Sequence, residues 1–304
     1  MDTLKGKTQK LIALCRDAAV RGRLVITGHD NPDADSVISA IMMKRLMDRS
    51  GVCCTVKFPT APDNVTLRDV RALGIWDDTA VCLFDTDDVL LLVDHHKTLY
   101  KNNVLACVDH HTTPPAPDCE CAIVLKSSSC GKIIYDMMTA LDISDADDER
   151  LALYSVYLDT QSCRSTKFNK ADLRWVEECM AKHSVDQKEI ERMGFCLNSP
   201  DEPVDVIAMY AYKRYEFGKI SASTAIQIDD EDPRWDSVIS KAVDLLKEKA
   251  LKEGYAMWAF VVNKPMKTLS DIYFIFDNGD VQKLALDRLA SRSKDVIPVV
   301  SLLK

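Results

Sequence analysis

The sequence has 304 residues, of which 47% are hydrophobic and 28% are charged. This length suggests about two domains, and the composition is that of a folded globular protein rather than of a disordered or collagen-like chain. No apolar run approaches the ~18–20 residues of a membrane span, so we expect no membrane insertion. The net charge of −8 argues against general binding of nucleic acids or anionic membranes.

The N-terminal sequence and the cysteines both indicate a cytoplasmic protein. The first residues lack the basic and then apolar profile of a signal peptide. The eleven cysteines are odd in number and most fall in apolar runs, so we expect reduced, buried thiols rather than disulfides. The cysteines in apolar runs are Cys15, Cys82, Cys107, Cys130 and Cys179.

The first two thirds of the chain alternate between helical and strand patterns. Helical periodicity is found at 4–19, 35–48, 64–73, 128–141, 147–158, 170–182 and 186–197. Strand-like apolar runs are found at 24–26, 53–58, 80–84, 89–93 and 104–108. Such runs, rich in valine and leucine, are typical of strands that are covered on both faces. We therefore predict an α/β domain over 1–197, with a mainly parallel sheet flanked by helices.

A change of pattern separates this region from the end of the chain. The polar segment 198–203 contains two prolines and has no apolar periodicity, which predicts a linker. Beyond it, strand patterns near 219–228, 255–262 and 271–276 accompany a helical pattern at 236–252. The sequence therefore predicts a second, smaller α+β domain over 204–304.

Five of the six histidines fall in three short clusters that contain aspartates. The first cluster, His29 to Asp35, follows one predicted strand and precedes a predicted helix. Asp94-His95-His96 and Asp109-His110-His111 each end a further strand run. Because the carboxyl ends of parallel strands meet at one edge of a sheet, we expect these side chains to converge there. For the first cluster alone, an aspartate-rich turn that caps a helix is an equally good interpretation.

Another aspartate, Asp159, ends a predicted helix, where its charge is unfavourable without a nearby cation. A mixed set of carboxylates and imidazoles suits Mn²⁺, Fe²⁺, Co²⁺ or Zn²⁺, and carboxylates also suit Mg²⁺. Two such ions ~3.5–4 Å apart would clamp the attacking and leaving oxygens of a phosphoryl transfer. The residues that would supply these ligands are His29, Asp33, Asp35, Asp94, His110 and Asp159.

The ordered motifs His-x-Asn-Pro-Asp-x-Asp-Ser, Val-Asp-His, Asp-His-His and Leu-x-Asp-Thr resemble those of the DHH phosphoesterase superfamily. The length and C-terminal pattern are most similar to its DHHA2-containing branch, which includes the manganese-dependent (family II) inorganic pyrophosphatases, exopolyphosphatases and prune-like proteins. The resemblance runs from about Leu24 to Leu302. It implies a catalytic DHH domain over 1–197 and a substrate-binding DHHA2 domain over 204–304.

The resemblance also implies a role for each motif residue. The first metal would be held by His29 and Asp33, and the second by Asp35, His110 and Asp159. Asp94 would bridge the two ions and take part in catalysis, while His111 would contact the substrate and donate a proton. The implied cofactor is a pair of divalent ions, Mn²⁺ first, with Co²⁺ or Mg²⁺ as alternatives.

Near the C-terminus, the resemblance implies phosphate-binding side chains. Pyrophosphatases hold the terminal phosphate with a Ser-Arg-Lys-Lys segment, which Ser291-Arg292-Ser293-Lys294 matches except at Ser293. Arg292 and Lys294 would bind substrate, together with an upstream lysine that matches Lys213, with Arg214 as the competing assignment. A second departure is His96, where pyrophosphatases usually carry asparagine.

These observations predict a phosphoanhydride hydrolase that acts on a small phosphate-containing substrate, first of all pyrophosphate. The alternatives are an exopolyphosphatase, a phosphoesterase for a small nucleotide, or a prune-like regulatory binding protein. The complete set of six candidate ligands weighs against the last of these, because a non-catalytic protein would be free to lose them. A homodimer is expected from the resemblance alone.

Overall fold

The computed structural model describes residues 3–96, 103–111, 118–165, 167–185, 197–217 and 219–302, without the side chains of Asn64, Phe217 and Ser293. The chain divides into two compact units, Met1–Gly194 and Phe195–Lys304. Within the described residues, no helix has the length and apolar character that crossing a bilayer requires.

The first unit is built on a five-stranded parallel sheet. Its strands are β1 (Arg23–Thr27), β2 (Thr55–Val56), β3 (Asp88–Val93), β4 (Asn103–Asp109) and β5 (Cys121–Val124), in the order β2-β1-β3-β4-β5. All four neighbouring pairs run parallel. The central strands are almost completely buried, which explains their unbroken apolar sequences. The predicted α/β fold class is confirmed.

Helices flank this sheet. They are α1 (Leu4–Arg21), α2 (Ala34–Arg49), α3 (Asn64–Ala72), α4 (Cys130–Ala140), α5 (Ala146–Asp159) and α6 (Leu173–His183). Asp33 caps the start of α2, because its side chain accepts a hydrogen bond from the backbone N–H of Ser36 at 3.1 Å. α2 packs against both α4 and α5. The starts of α2 and α4 and the end of α5 are thereby fixed relative to one another.

Parts of the predicted secondary structure are wrong. The run 80–84 forms no strand: it follows a 3₁₀ turn at Asp78–Ala80 and makes only an isolated bridge between Val81 and Phe58. Leu83 and Cys82 are consequently exposed, so Cys82 is not a buried thiol. β5 was not predicted, because it has only four residues and two of them alternate out of the core. Most of the predicted helix 186–197 lies outside the described residues.

The second unit contains a mixed five-stranded sheet. Its strands are β6 (Lys213–Phe217), β7 (Lys219–Gln227), β8 (Met257–Lys264), β9 (Leu269–Phe276) and β10 (Val281–Leu286), in the order β10-β9-β8-β7-β6. Only the pairing of β7 with β8 is parallel. The helix Arg234–Glu253 covers one face through Trp235 and Leu246, and Val296 and Val300 near the C-terminus pack on the other.

The predicted linker begins inside this second unit. The backbone N–H of Asn198 donates to the carbonyl of Gln227 at 2.7 Å, and the N–H of Gln227 donates to Oδ1 of Asn198 at 3.0 Å. Asn198 is therefore fastened to the end of β7. The assignment of the two units to a catalytic and a substrate-binding domain stays a prediction.

Candidate metal centre

Three strand ends and two helix ends of the first unit meet at one polar site. His29 follows β1, Asp94 follows β3 and His110 follows β4, so neighbouring strands deliver all three side chains to the same edge of the sheet. α2 adds Asp33 and Asp35 from its start, and α5 adds Asp159 from its end. The sheet topology therefore brings together all six side chains that were predicted to bind metal.

The first group of candidate ligands is His29, Asp33 and Asp94. Nε2 of His29 lies 3.7 Å from Oδ2 of Asp33 and 3.5 Å from Oδ2 of Asp94. Nδ1 of His29 lies 2.9 Å from the backbone carbonyl oxygen of Asp30, within hydrogen-bond distance. That contact orients the ring so that Nε2 faces the two carboxylates, which is how proteins commonly prepare a histidine for metal binding.

The second group is Asp35, His110 and Asp159, with Asp94 again adjacent. Nε2 of His110 lies 3.2 Å from Oδ1 of Asp94, 3.7 Å from Oδ2 of Asp35 and 3.9 Å from Oδ2 of Asp159. Its other ring nitrogen contacts the carbonyl of Ser127 at 3.2 Å. Asp94 thus presents one oxygen to each group, as a carboxylate shared between two cations would.

Buried polar atoms at this site lack hydrogen-bond partners within the described residues. They are Oδ1 of Asp94 and Nε2 of His110, which lie 3.2 Å apart without hydrogen-bond geometry, and Oδ2 of Asp159. An unsatisfied buried polar atom costs ~1–3 kcal/mol, and more when it is charged, so three in one place need an explanation. A divalent cation would satisfy all three at once. The chemistry of the donors therefore fits a metal centre, with imidazole nitrogens and carboxylate oxygens suited to Mn²⁺.

Asp35 is held more firmly than the other candidate ligands. Its Oδ2 accepts the N–H of Cys130 at 2.8 Å, and its Oδ1 accepts the N–H of Gly131 at 3.1 Å, both from the start of α4. Gly131 is required for this approach, because a Cβ there would lie 2.4 Å from the hydroxyl of Ser155. The hydroxyls of Ser155 and Ser39 also donate to Oδ1 of Asp35.

The charges at the site interact strongly. Burial and the adjacent Asp94 raise the pKa of Asp35 to about 7. Burial alone would lower the pKa of His110, but the surrounding carboxylates, Asp94 foremost, raise it to about 10. His29 behaves in the same way, and the carboxylates of Asp33 and Asp94 raise its pKa to about 11. Without metal, the site is therefore expected to hold protons that divalent cations would displace.

Behind the metal ligands, Asp109 holds two further histidines. Its Oδ1 accepts from the backbone N–H of His111 at 3.0 Å and lies 2.9 Å from Nδ1 of the same residue, while its Oδ2 contacts Nδ1 of His96. These contacts, set against its burial, lower the pKa of Asp109 to about 2. The hydrogen bond with Asp109 raises the pKa of His111, whose side chain is 45% exposed. His111 is thus oriented by Asp109 and remains open to a ligand.

Two kinds of contributor to the site have no motif in the sequence. The first is the backbone: the N–H groups of α4 that bind Asp35 leave no signature in the side-chain pattern. The second is Lys167, whose Nζ lies 2.5 Å from Oδ1 of Asp159. The position of Asp159 at a helix end had indicated that a cation should lie nearby, and Lys167 is that cation. No motif spacing points to it.

The other predicted substrate residues lie in the second unit. Nη1 of Arg292 donates to the carbonyl of Ala211, which places its guanidinium next to the segment that leads into Lys213. Lys294 is exposed in the turn Arg292–Val296. Arg214 is paired with Glu216 at 2.9 Å. The choice between Lys213 and Arg214 for the substrate lysine stays a prediction.

Another cluster with ligand-type side chains, Glu149, Cys179 and His183, lies elsewhere in the first unit. Here the carboxylate already has its partners: Oε2 contacts Lys182 at 2.6 Å and His183 at 2.7 Å. Tyr135 donates to Oε1 at 3.1 Å. In this cluster the buried carboxylate is neutralised by its neighbours. The metal centre differs, because buried polar atoms there have no hydrogen-bond partner among the described residues.

Comparison with known proteins agrees with this geometry. Residues 23–160 match the model of the DHH family, N-terminal domain, and this range contains all six candidate ligands. This segment is a DHH-family domain. A protein of Deinococcus radiodurans, named as a probable manganese-dependent inorganic pyrophosphatase, is 24% identical over 211 residues. The match covers 64% of this chain and 66% of that protein, so the chain spans just under two thirds of its relative's length.

Solved structures share the fold over nearly the whole chain. One is a Methanococcus jannaschii protein assigned to the family II inorganic pyrophosphatases, with a TM-score of 0.70 and 20% identity. The match covers 92% of this chain and 99% of that one. Another is an exopolyphosphatase-related protein from Bacteroides fragilis, with a TM-score of 0.51 and 13% identity over 97% and 96% of the two chains. At these identities the matches establish the fold.

Proposed function

We propose that this protein is a two-metal phosphoanhydride hydrolase and that its substrate is inorganic pyrophosphate. The observation that carries the proposal is the convergence of four carboxylates and two imidazoles, three of whose buried atoms have no hydrogen-bond partner among the described residues. The DHH-family match and the pyrophosphatase-named relative support the same reaction class.

In this proposal, each group of ligands holds one cation. His29 and Asp33 would hold the first, Asp35, His110 and Asp159 would hold the second, and Asp94 would contribute to both. When bound, the two ions lower the pKa of an attacking water and neutralise charge on the phosphates. The protein's task is to fix the ligands, and the hydrogen bonds from α4 to Asp35 do this before any ion arrives.

His111 is proposed as the proton donor. Its Nδ1–H is directed to Oδ1 of Asp109, so its Nε2 is the atom left to face a substrate. Asp109 raises the pKa of His111, which increases the fraction that carries a proton at neutral pH. A proton on Nε2 would pass to the oxygen of the leaving phosphate, which then departs with less negative charge.

In the second unit, Lys213, Arg292 and Lys294 are proposed to bind the terminal phosphate. Arginine suits this task because its planar guanidinium can hold two phosphate oxygens at once, and lysine adds a point charge. Ser293 leaves this group with one positive charge fewer than the pyrophosphatase pattern contains. We therefore expect weaker binding of pyrophosphate than in a typical relative, and more tolerance for longer substrates.

The direct test is hydrolysis of defined substrates by the purified chain. Phosphate release would be measured with pyrophosphate, tripolyphosphate, longer polyphosphate and nucleoside triphosphates, each with Mn²⁺, Co²⁺ or Mg²⁺. The proposal predicts Mn²⁺-dependent release from pyrophosphate at a higher kcat/KM than from any other substrate. A higher kcat/KM for long polyphosphate or for a nucleotide would show that pyrophosphate is not the preferred substrate and would identify the one that is. No hydrolysis with bound metal would favour a regulatory binding protein.

A further inference from the structure

The loop that follows α5 returns a lysine to the metal centre. Nζ of Lys167 lies 2.5 Å from Oδ1 of Asp159, a residue eight positions earlier in the sequence. Its ammonium also interacts with the carboxylates of Asp33 and Asp94. One lysine therefore experiences the fields of both ligand groups at once, because Asp33 belongs to the first group and Asp159 to the second.

The backbone that carries this lysine is strained. Gln161, Ser162 and Cys163 are consecutive non-glycine residues with φ of 51°, 54° and 63°, in the left-handed region. Each such residue costs on the order of 1–3 kcal/mol and persists only where its surroundings demand it. Those surroundings are visible: Ser162 N–H donates to the carbonyl of Tyr157 at 2.8 Å, and Ser165 N–H donates to that of Thr160 at 2.9 Å.

The contact with Asp159 leaves the lysine available for a second partner. An ammonium has three donors, and Asp159 engages one of them. The Lys167 side chain is 53% exposed, whereas that of Asp159 is only 4% exposed. The lysine thus lies at the open side of the site. Since Oδ1 of Asp159 is held by Lys167, Oδ2 is the oxygen that remains for a cation near His110.

We propose that Lys167 is a substrate-binding residue of the first unit, which contacts a phosphate group bound at the metal centre. This inference rests on the proposed function and names a subsite within it. A bound phosphate would bring negative charge to the open side of the carboxylates, where a positioned ammonium stabilises it without rearrangement. Lys167 would add this contact through the unit that also supplies the metal ligands.

The test uses a diphosphate analogue that cannot be hydrolysed. Binding of methylene diphosphonate to the Mn²⁺-loaded full chain would be measured by calorimetry for wild type, Lys167→Gln and Lys167→Arg. Lys44→Gln is the matched control, because Lys44 forms an exposed pair with Asp48 at 2.8 Å elsewhere in the same unit. Loss of a charged hydrogen bond is expected to weaken binding ~10–150-fold in Lys167→Gln. Lys167→Arg should retain most of the affinity, and Lys44→Gln all of it.

Separate measurements distinguish this role from support of Asp159. If Lys167 only supports the ligand, Lys167→Gln lowers Mn²⁺ affinity, while diphosphonate affinity at saturating Mn²⁺ stays at the wild-type value; that result overturns the inference. Equal diphosphonate affinity in Lys167→Gln and Lys44→Gln overturns it as well. The hydrolysis assay on wild type is read independently. If wild type binds diphosphonate through Lys167 but cleaves no phosphoanhydride, the proposed function fails and the phosphate subsite stands.

Discussion

The two units present their candidate residues in different ways. In the first unit, side chains from three strand ends and two helix ends converge, and three buried atoms remain without partners among the described residues. In the second unit, Arg292 and Arg214 are already engaged, by a backbone carbonyl and by Glu216. A parallel sheet brings its strand ends together by topology alone, whereas a mixed sheet and a C-terminal turn follow no such rule. A candidate metal centre can therefore be inferred from sheet topology, whereas a phosphate subsite can be inferred only from the contacts of individual side chains.

The largest effect is expected at Asp94, the carboxylate that both ligand groups share. Asp94→Asn removes the charge between the two cations while keeping the size of the side chain. Because metal-ion catalysis contributes several kcal/mol, we expect kcat/KM for pyrophosphate to fall by roughly 10³-fold or more. Near-normal turnover with full metal content and an unchanged circular dichroism spectrum would show that Asp94 does not bridge.

The next largest difference is expected between two histidines that occupy similar motifs. His110→Ala removes a predicted ligand, so activity should fall by about 10³-fold. His96→Asn changes a residue that contacts Asp109 behind the ligands, and such outer contacts typically contribute ~10-fold or somewhat more. Steady-state kinetics at saturating Mn²⁺ would measure both. Equal losses would indicate that His96 itself binds metal or substrate.

A smaller effect is expected in the second unit. Ser293→Lys restores the charge that the pyrophosphatase pattern carries, so KM for pyrophosphate should decrease by up to ~10-fold, within the energy of one charged hydrogen bond. Tripolyphosphate should be affected less, since it offers more phosphate oxygens to the existing residues. The prediction would be contradicted if Ser293→Lys left KM unchanged and the wild type already cleaved pyrophosphate efficiently and exclusively. Ser293 would then have no effect on substrate binding.

The last prediction concerns stability in acid rather than activity. The folded pKa of Asp109 is about 2, below the ~3.9 of an unfolded aspartate, so its charged form stabilises the fold by ~2–3 kcal/mol. When folding lowers a pKa, the resulting stabilisation is complete at pH values above the pKa of the unfolded state. It is lost as the pH falls through the pKa of the folded state. Asp109→Asn should therefore unfold at lower urea concentration at pH 6, and the difference should shrink between pH 4 and pH 2. A difference independent of pH would contradict this account.

The sequence predicted the features that depend on side-chain chemistry or long apolar runs. β1, β3 and β4 were predicted because their buried residues are continuous. The convergence of the six candidate ligands was predicted because histidines and aspartates follow three strand runs and Asp159 ends a helix. The strand predicted at 80–84 was wrong because apolar composition alone does not ensure burial, as the exposed Leu83 shows. β10 was missed because it is largely exposed and carries no apolar alternation.

Contacts that depend on backbone geometry could not be predicted. The N–H groups of Cys130 and Gly131 reach Asp35 only because α4 packs against α2. Lys167 contacts Asp159 after a chain segment in which three consecutive residues other than glycine adopt left-handed backbone angles. Neither arrangement has a local signature in sequence, since each is imposed by packing around it.

The central claim is that the first unit holds two cations that share Asp94, and electron paramagnetic resonance during a manganese titration tests it most directly. The metal-stripped chain would be titrated with Mn²⁺ while bound and free ions are counted. The account predicts two ions per chain and, at two equivalents, a spectrum of magnetically coupled ions that Asp94→Asn converts to uncoupled Mn²⁺. A single ion per chain, or two ions whose spectrum Asp94→Asn leaves unchanged, would contradict it.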